Sequence, residues 1–183
     1  MRKWTLCIIV AFVLAAGCGS TDTTENKTTT QTNQNQENQA KISTGNETKG
    51  YVFEYNGVSI GMDMEASAII EALGEPEDYF EAPSCAFEGL DKTYTYSSFE
   101  MDTYELDGKD YISCIYFRDD MIETKEGISL FMTKEDMIAT YGENYTEEFG
   151  MFVYEKEGMK LKFILTNDEI TSIEYASNVL EVQ

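Results

Sequence analysis

Histidine is absent from the 183 residues, proline occurs only twice and tryptophan once. Without imidazole the chain cannot assemble Ser-His-Asp or Cys-His catalysis, and it lacks the commonest zinc and copper ligand. Positive charge is scarce too: 13 Lys and Arg stand against 34 Asp and Glu, a formal net charge of −21. Nucleic acid is thereby excluded as a partner, because phosphate binding needs clustered cations, and adhesion to anionic lipid headgroups is disfavoured. The apolar run from Leu6 to Ala16 falls well short of the roughly 20 residues a membrane-spanning helix requires.

What that run does have is the layout of a secretory signal: Arg2 and Lys3 stand ahead of it and small residues close it. The closing stretch, Leu14-Ala15-Ala16-Gly17-Cys18, resembles the lipobox of bacterial lipoproteins. Ala15 holds the place three before the cysteine where the family usually has Leu, and Leu14 sits one further back. The resemblance implies a signal peptide over 1–17 and a diacylglyceryl group on the Cys18 thiol. Its two acyl chains suffice for stable anchoring, since each buried methylene contributes about 0.8 kcal/mol. Loss of Arg2 and Lys3 with the signal takes the mature charge to −23. The expected location is the extracytoplasmic face of a cell membrane; in a two-membrane cell, Gly19 after the lipidated cysteine resembles outer-membrane sorting patterns.

Residues 18–50 read as a tether. Between Gly19 and Gly50 the only apolar side chains are Ala40 and Ile42, in a background of Thr, Asn, Gln, Ser, Gly, Glu and Lys. Such a segment cannot bury enough surface to offset its ordering entropy. Its root-mean-square reach is on the order of 30 Å. Residues 51–183 remain as one globular domain, a size that buries a core without metals or disulfides.

Within that domain Gly57-Val58-Ser59-Ile60-Gly61-Met62-Asp63 is echoed by Gly127-Ile128-Ser129-Leu130-Phe131-Met132-Thr133, each block leading into a short helix. In the first, Asp63 is the expected N-cap, Met62, Ala66, Ile69, Ile70 and Leu73 share a face, and Gly74 and Pro76 stop the helix. In the second, Thr133 and Asp136 form a capping-box pattern, Met137, Ile138 and Tyr141 are apolar, and Gly142 ends it. Strand-like runs follow each helix, at 92–97, 99–106 and 111–118, then at 151–156, 159–165 and 169–175. Asp107-Gly108, Glu157-Gly158 and Asn167-Asp168 supply the turns. Meanders this short pair antiparallel. The expected fold class is α+β, with two tandem repeats over 57–119 and 127–177, each a short helix on a small antiparallel sheet.

Two helix-then-meander units in tandem resemble the β-lactamase-inhibitor-protein (BLIP-like) fold. The apolar-Gly-Met stretch running into a short helix and then Leu73-Gly74-Glu75-Pro76 also resembles small outer-membrane assembly lipoproteins of the SmpA/OmlA type. The likeness spans Val52 to Tyr175, and it implies a protein-binding module whose sheet presents a face to a partner. It transfers no inhibitory residue one by one, so it does not make β-lactamase the target.

Two cysteines belong to the folded part. Cys85 and Cys114 either pair, closing a loop of about thirty residues for roughly 3–4 kcal/mol, or stay two separately buried thiols. Strand alternation that turns Ile115 and Phe117 to the helix sends Ile112, Cys114 and Tyr116 the other way. Tyr94 and Tyr96 share a face of their strand, with Tyr104 further on. Tyr94, Tyr96, Tyr104 and Tyr116 are thus the expected partner-binding set on an open sheet face, against the alternative of ordinary half-buried strand tyrosines.

Two acidic clusters, Glu75, Glu77, Asp78 and Glu81, then Asp119, Asp120, Glu123 and Glu126, lack calcium-loop spacing and read as solvated faces. Ser84-Cys85 has no base beside it. No catalytic residue, metal ligand or cofactor is expected. The reading is a non-enzymatic, lipid-anchored module that binds an extracytoplasmic protein. Its rival is a small-ligand or cation-binding accessory lipoprotein of a transporter, which predicts calcium-dependent melting.

Overall fold

The structure is a computed structural model that describes residues 50–85 and 88–179. The expected signal peptide, the expected lipidation at Cys18 and the expected tether up to residue 49 lie outside the described residues. Twelve elements follow in order: β1 (Phe53–Tyr55), β2 (Val58–Ile60), α1 (Ala66–Leu73), β3 (Asp78–Pro83), β4 (Leu90–Thr95), β5 (Phe99–Leu106), β6 (Lys109–Phe117), α2 (Lys134–Tyr141), β7 (Thr146–Glu148), β8 (Met151–Lys156), β9 (Met159–Thr166) and β10 (Glu169–Ser177).

The turns explain why these strands pair with their neighbours. Asn56-Gly57, Asp107-Gly108, Phe149-Gly150, Glu157-Gly158 and Asn167-Asp168 each place two successive residues at positive φ. That left-handed pair is the two-residue turn whose twist matches a hairpin. Alternation then sorts the side chains: Phe99, Met101 and Thr103 of β5 are buried, as are Met159, Leu161 and Phe163 of β9.

β1 and β2 form a separate two-stranded ribbon; the other eight strands make one antiparallel sheet ordered β3-β4-β5-β6-β10-β9-β8-β7. The architecture is therefore α+β with one continuous eight-stranded sheet, where the sequence reading expects two small ones. A single core lies on one face of it. Phe53 of the ribbon stands 5.1 Å from Phe99, 5.3 Å from Phe117 and 5.9 Å from Tyr175, ring to ring. Ala66 and Ile69 of α1 and Met137 of α2 join this core, and Tyr141 of α2 meets Phe163 at 5.6 Å. Fully buried side chains of this size contribute about 1.5–3 kcal/mol each.

At mid-sheet β6 and β10 share three rungs, Tyr116 with Glu174, Ile115 with Tyr175 and Cys114 with Ala176. Beyond those rungs, the segment before each helix takes over the ladder. Asp63 N–H donates to Ile112 O at 2.8 Å, and Ile112 N–H to Met64 O at 3.0 Å. Likewise Phe131 N–H donates to Ile170 O at 2.9 Å, and Ile170 N–H to Met132 O at 2.8 Å.

These bonds correct the helix start expected for α1. Its N-cap is Glu65, which makes no side-chain cap bond, and Asp63 instead sits at φ 61° against β6. The equivalent of Thr133 is thus Glu65, two residues later than the Gly57/Gly127 alignment places it. Thr133 itself carries the full capping box with Asp136. Ile112 is also corrected. The β5–β6 register skips Ser113, passing from Asp102↔Cys114 to Thr103↔Ile112, and that bulge returns Ile112 to the core side, where it is fully buried.

Candidate functional site: the open face of the sheet

Pairing register fixes which side chains share the face away from the helices. One row across the sheet reads Asp78, Thr95, Glu100, Tyr116, Glu174, Lys162 and Val153. The next reads Phe80, Thr93, Asp102, Cys114, Ala176, Lys160 and Glu155. Polar and ionisable groups therefore fill the centre of this face, while the opposite face is apolar.

The two rows are wired together. Lys162 Nζ meets Glu174 Oε1 at 3.1 Å, with side-chain exposures of 13% and 17%. Glu174 Oε1 also accepts from the Cys114 thiol at 3.7 Å. Lys160 reaches Glu148 at 3.3 Å, and Arg118 at the rim lies 3.5 Å from Glu100. Asp102 accepts from the Thr93 hydroxyl at 2.7 Å. Among the described residues it meets no cation within ion-pair distance.

Burial governs the protonation of this cluster. Desolvation raises the Asp102 carboxyl above the ordinary aspartate value; the Thr93 bond opposes it, and Glu100, Asp91 and Glu174 add to it. Burial pushes the Cys114 thiol up to about 12, with the Tyr116 hydrogen bond pulling the other way and Glu174 and Asp102 adding to the rise. Tyr116 is raised for the same first reason, and the thiol beside it adds to the effect. The cluster thus holds a neutral thiol and a neutral phenol near pH 7. A thiol in that state is a poor nucleophile.

Of the four expected partner-binding tyrosines, Tyr116 stands half-buried on the open face. Tyr94 and Tyr96 do not; this is a correction. Tyr94 pairs with Met101, and both tyrosines face the helix side, Tyr96 only 5% exposed and stacked on Phe99 at 4.8 Å. Tyr94 lines a hollow of about 320 Å³ beside Glu65, Ser67 and Ile70. Tyr104 alternates with Thr103 and is buried, its hydroxyl donating to Asp63 Oδ1 at 3.1 Å. Asp63 also accepts from Ser177 at 2.6 Å.

The cysteine alternative resolves toward separate thiols: among the described residues Cys85 and Cys114 are both free, Cys85 exposed after β3 and Cys114 in β6. Strands β4 and β5 lie between β3 and β6, and strands are spaced about 4.8 Å apart. Three such spacings, about 14 Å, separate β3 from β6 and exceed the roughly 7 Å Cα limit of a disulfide. The first acidic cluster, expected as a solvated face, is exposed throughout, and Asp78 and Glu81 lie in edge strand β3. In the second, Glu126 accepts from Tyr141 at 2.8 Å and Asp119 from the Met121 amide at 3.0 Å.

The residues of this candidate site that sequence reasoning missed are Glu100, Asp102, Glu174, Lys160 and Lys162. Their signal was present, since each alternates with a core residue in its own strand, but it emerges only once the β6–β10 pairing is known. Comparison with known proteins finds no matching family model, no matching curated protein and no matching solved structure.

Proposed function

We propose that the chain is a membrane-anchored extracytoplasmic lipoprotein, a non-enzymatic module of two tandem α+β repeats that binds another protein through the open sheet face around Tyr116. The order β3-β4-β5-β6-β10-β9-β8-β7, with equivalent bonds at Asp63–Ile112 and Phe131–Ile170, supports the tandem reading. The lipobox at Cys18 supports the anchor.

One observation carries the binding assignment. The face opposite the core sets a half-buried tyrosine among partly desolvated carboxylates and lysines, the mix of ring, hydroxyl and oriented charge that recognition surfaces use. Its thiol and phenol are held neutral, which favours contact over catalysis.

The test is a photo-crosslinking residue at Tyr116 on intact cells, with the same residue at Tyr96 as the buried control. A discrete captured protein at Tyr116 and none at Tyr96 is expected. Capture of nothing above background at Tyr116 overturns the assignment.

A further inference from the structure

The two outer strands of the sheet are unequal. β7 is three residues long, whereas β3 runs for six, Asp78–Pro83, and carries Tyr79 at 45% and Phe80 at 64% exposure. A long edge strand with exposed aromatic side chains is a template for another strand unless it is blocked.

Hydrogen bonding shows which backbone groups of β3 remain available. Ser84 N–H donates to Gly89 O at 3.0 Å, one step beyond the Pro83↔Leu90 pair. Bonded pairs alternate along an antiparallel ladder, so Asp78, Phe80 and Ala82 direct their backbone groups to β4. Tyr79 and Glu81 direct theirs outward. The Tyr79 amide confirms this phase, because it donates sideways to the Asp78 carboxylate at 2.9 Å rather than to β4. The edge therefore offers two outward amides and the matching carbonyls, one amide held only by a solvent-exposed side chain that a carbonyl can replace. Pro83, with no amide, closes it.

Charge selects the occupant. Asp78 and Glu81 lie on the strand and Glu75 and Glu77 just ahead of it, all exposed. A second copy would bring the same acids against them, and an anionic lipid surface is repelled in the same way. We infer that β3 receives an extended, lysine- or arginine-bearing segment of a partner protein as a ninth strand, its backbone bonded to Tyr79 and Glu81 and its cations set against Glu81 and Asp78. This goes beyond the open-face reading, since it concerns the edge and depends on no residue of the Tyr116 cluster.

The experiment uses the mature full chain and two labelled nonapeptides, one repeating threonine-lysine-lysine, which puts lysines on both faces of an extended strand, and the other repeating threonine-glutamate-glutamate. Fluorescence anisotropy is expected to show saturable binding of the lysine peptide alone. Amide exchange at Tyr79 and Glu81 is expected to slow on its addition by about tenfold or more. Glu81→Pro removes one outward donor and leaves the ladder to β4 intact; it is expected to weaken binding by about tenfold. Glu81→Gln keeps the amide and is expected to weaken binding less. Unchanged exchange at both amides, equal binding of the glutamate peptide, or no binding at all overturns the inference, and the exchange measurement holds even where Glu81→Pro does not fold. Dimerisation of the chain through β3 without peptide binding also overturns it. Crosslinking at Tyr116 is a separate result, so either reading can fail alone.

Discussion

Thr93 and Asp102 face each other across β4 and β5, hydroxyl to carboxylate at 2.7 Å, and that hydroxyl is the carboxylate's side-chain partner. A carboxylate raised by burial makes the fold less stable wherever it is ionised. Below the unfolded aspartate value both states are protonated and the penalty vanishes; it grows as pH rises from the unfolded to the higher folded value and is complete above it. Asp102→Asn keeps the acceptor for Thr93 and removes the charge. Its melting temperature should exceed that of the parent at pH 7, with the difference shrinking as pH is lowered toward 4. A parent that melts higher at pH 7 would contradict the buried-charge assignment.

The two thiols should react very differently. Cys85 is exposed, while Cys114 is mostly enclosed and held protonated with its ionisation pushed up to about 12. Iodoacetamide at pH 8 should modify Cys85 and leave Cys114 intact until denaturant is added, as read by peptide mass spectrometry. Equal labelling would mean that the sheet face is open to the reagent.

The helix starts differ in the same checkable way. Thr133→Ala removes the hydroxyl that accepts from the Asp136 amide at 3.2 Å and should cost about 1 kcal/mol in urea unfolding. Glu65→Ala removes no such cap and should cost distinctly less. Equal losses would place the capping argument in error.

Phe149 occupies the first position of the β7–β8 turn at φ 52° with its side chain wholly exposed. A phenylalanine gains nothing there and strains the backbone, whereas asparagine tolerates the left-handed region. Phe149→Asn should raise stability, by about 0.5–1 kcal/mol, in chemical denaturation. A loss would show that the ring is held by something other than the turn.

Tyr96 buries a hydroxyl that finds no hydrogen-bond partner among the described residues. Tyr96→Phe should leave stability unchanged or raise it, because the desolvated group disappears and the ring remains. It should also leave partner capture at Tyr116 unchanged, since Tyr96 lies on the other side of the sheet. Lost capture in a folded variant would reopen Tyr96 as a contact residue.

Local chemistry carried the parts of the fold that local chemistry decides. Asp107-Gly108 and Glu157-Gly158 announce tight hairpins, and Thr133 with Asp136 announces a helix start, because each acts within four residues. Strand β3 was hidden since its side chains bury almost nothing: Asp78, Tyr79, Phe80 and Glu81 are all exposed and lack the alternation that marks a half-buried strand. Tyr94 and Tyr96 show why the candidate site was only partly legible. Alternation says that two residues share a face, not which face, and that was set by Phe53, roughly forty residues upstream, packing on Phe99. The joining of the strands into one sheet rests on Tyr116 meeting Glu174, a contact between distant stretches that no local pattern encodes.

That three-rung seam makes the sheet's two wings mutually dependent. Each wing supplies the shield for the other's innermost nine-residue strand, so cutting the chain between Phe117 and Lys134 would strip both β6 and β10 of a flank. Separately produced fragments should clump rather than fold, and mixing them should restore solubility. The covalent connection between Phe117 and Lys134, rather than affinity between separate pieces, thus guarantees that the two wings meet.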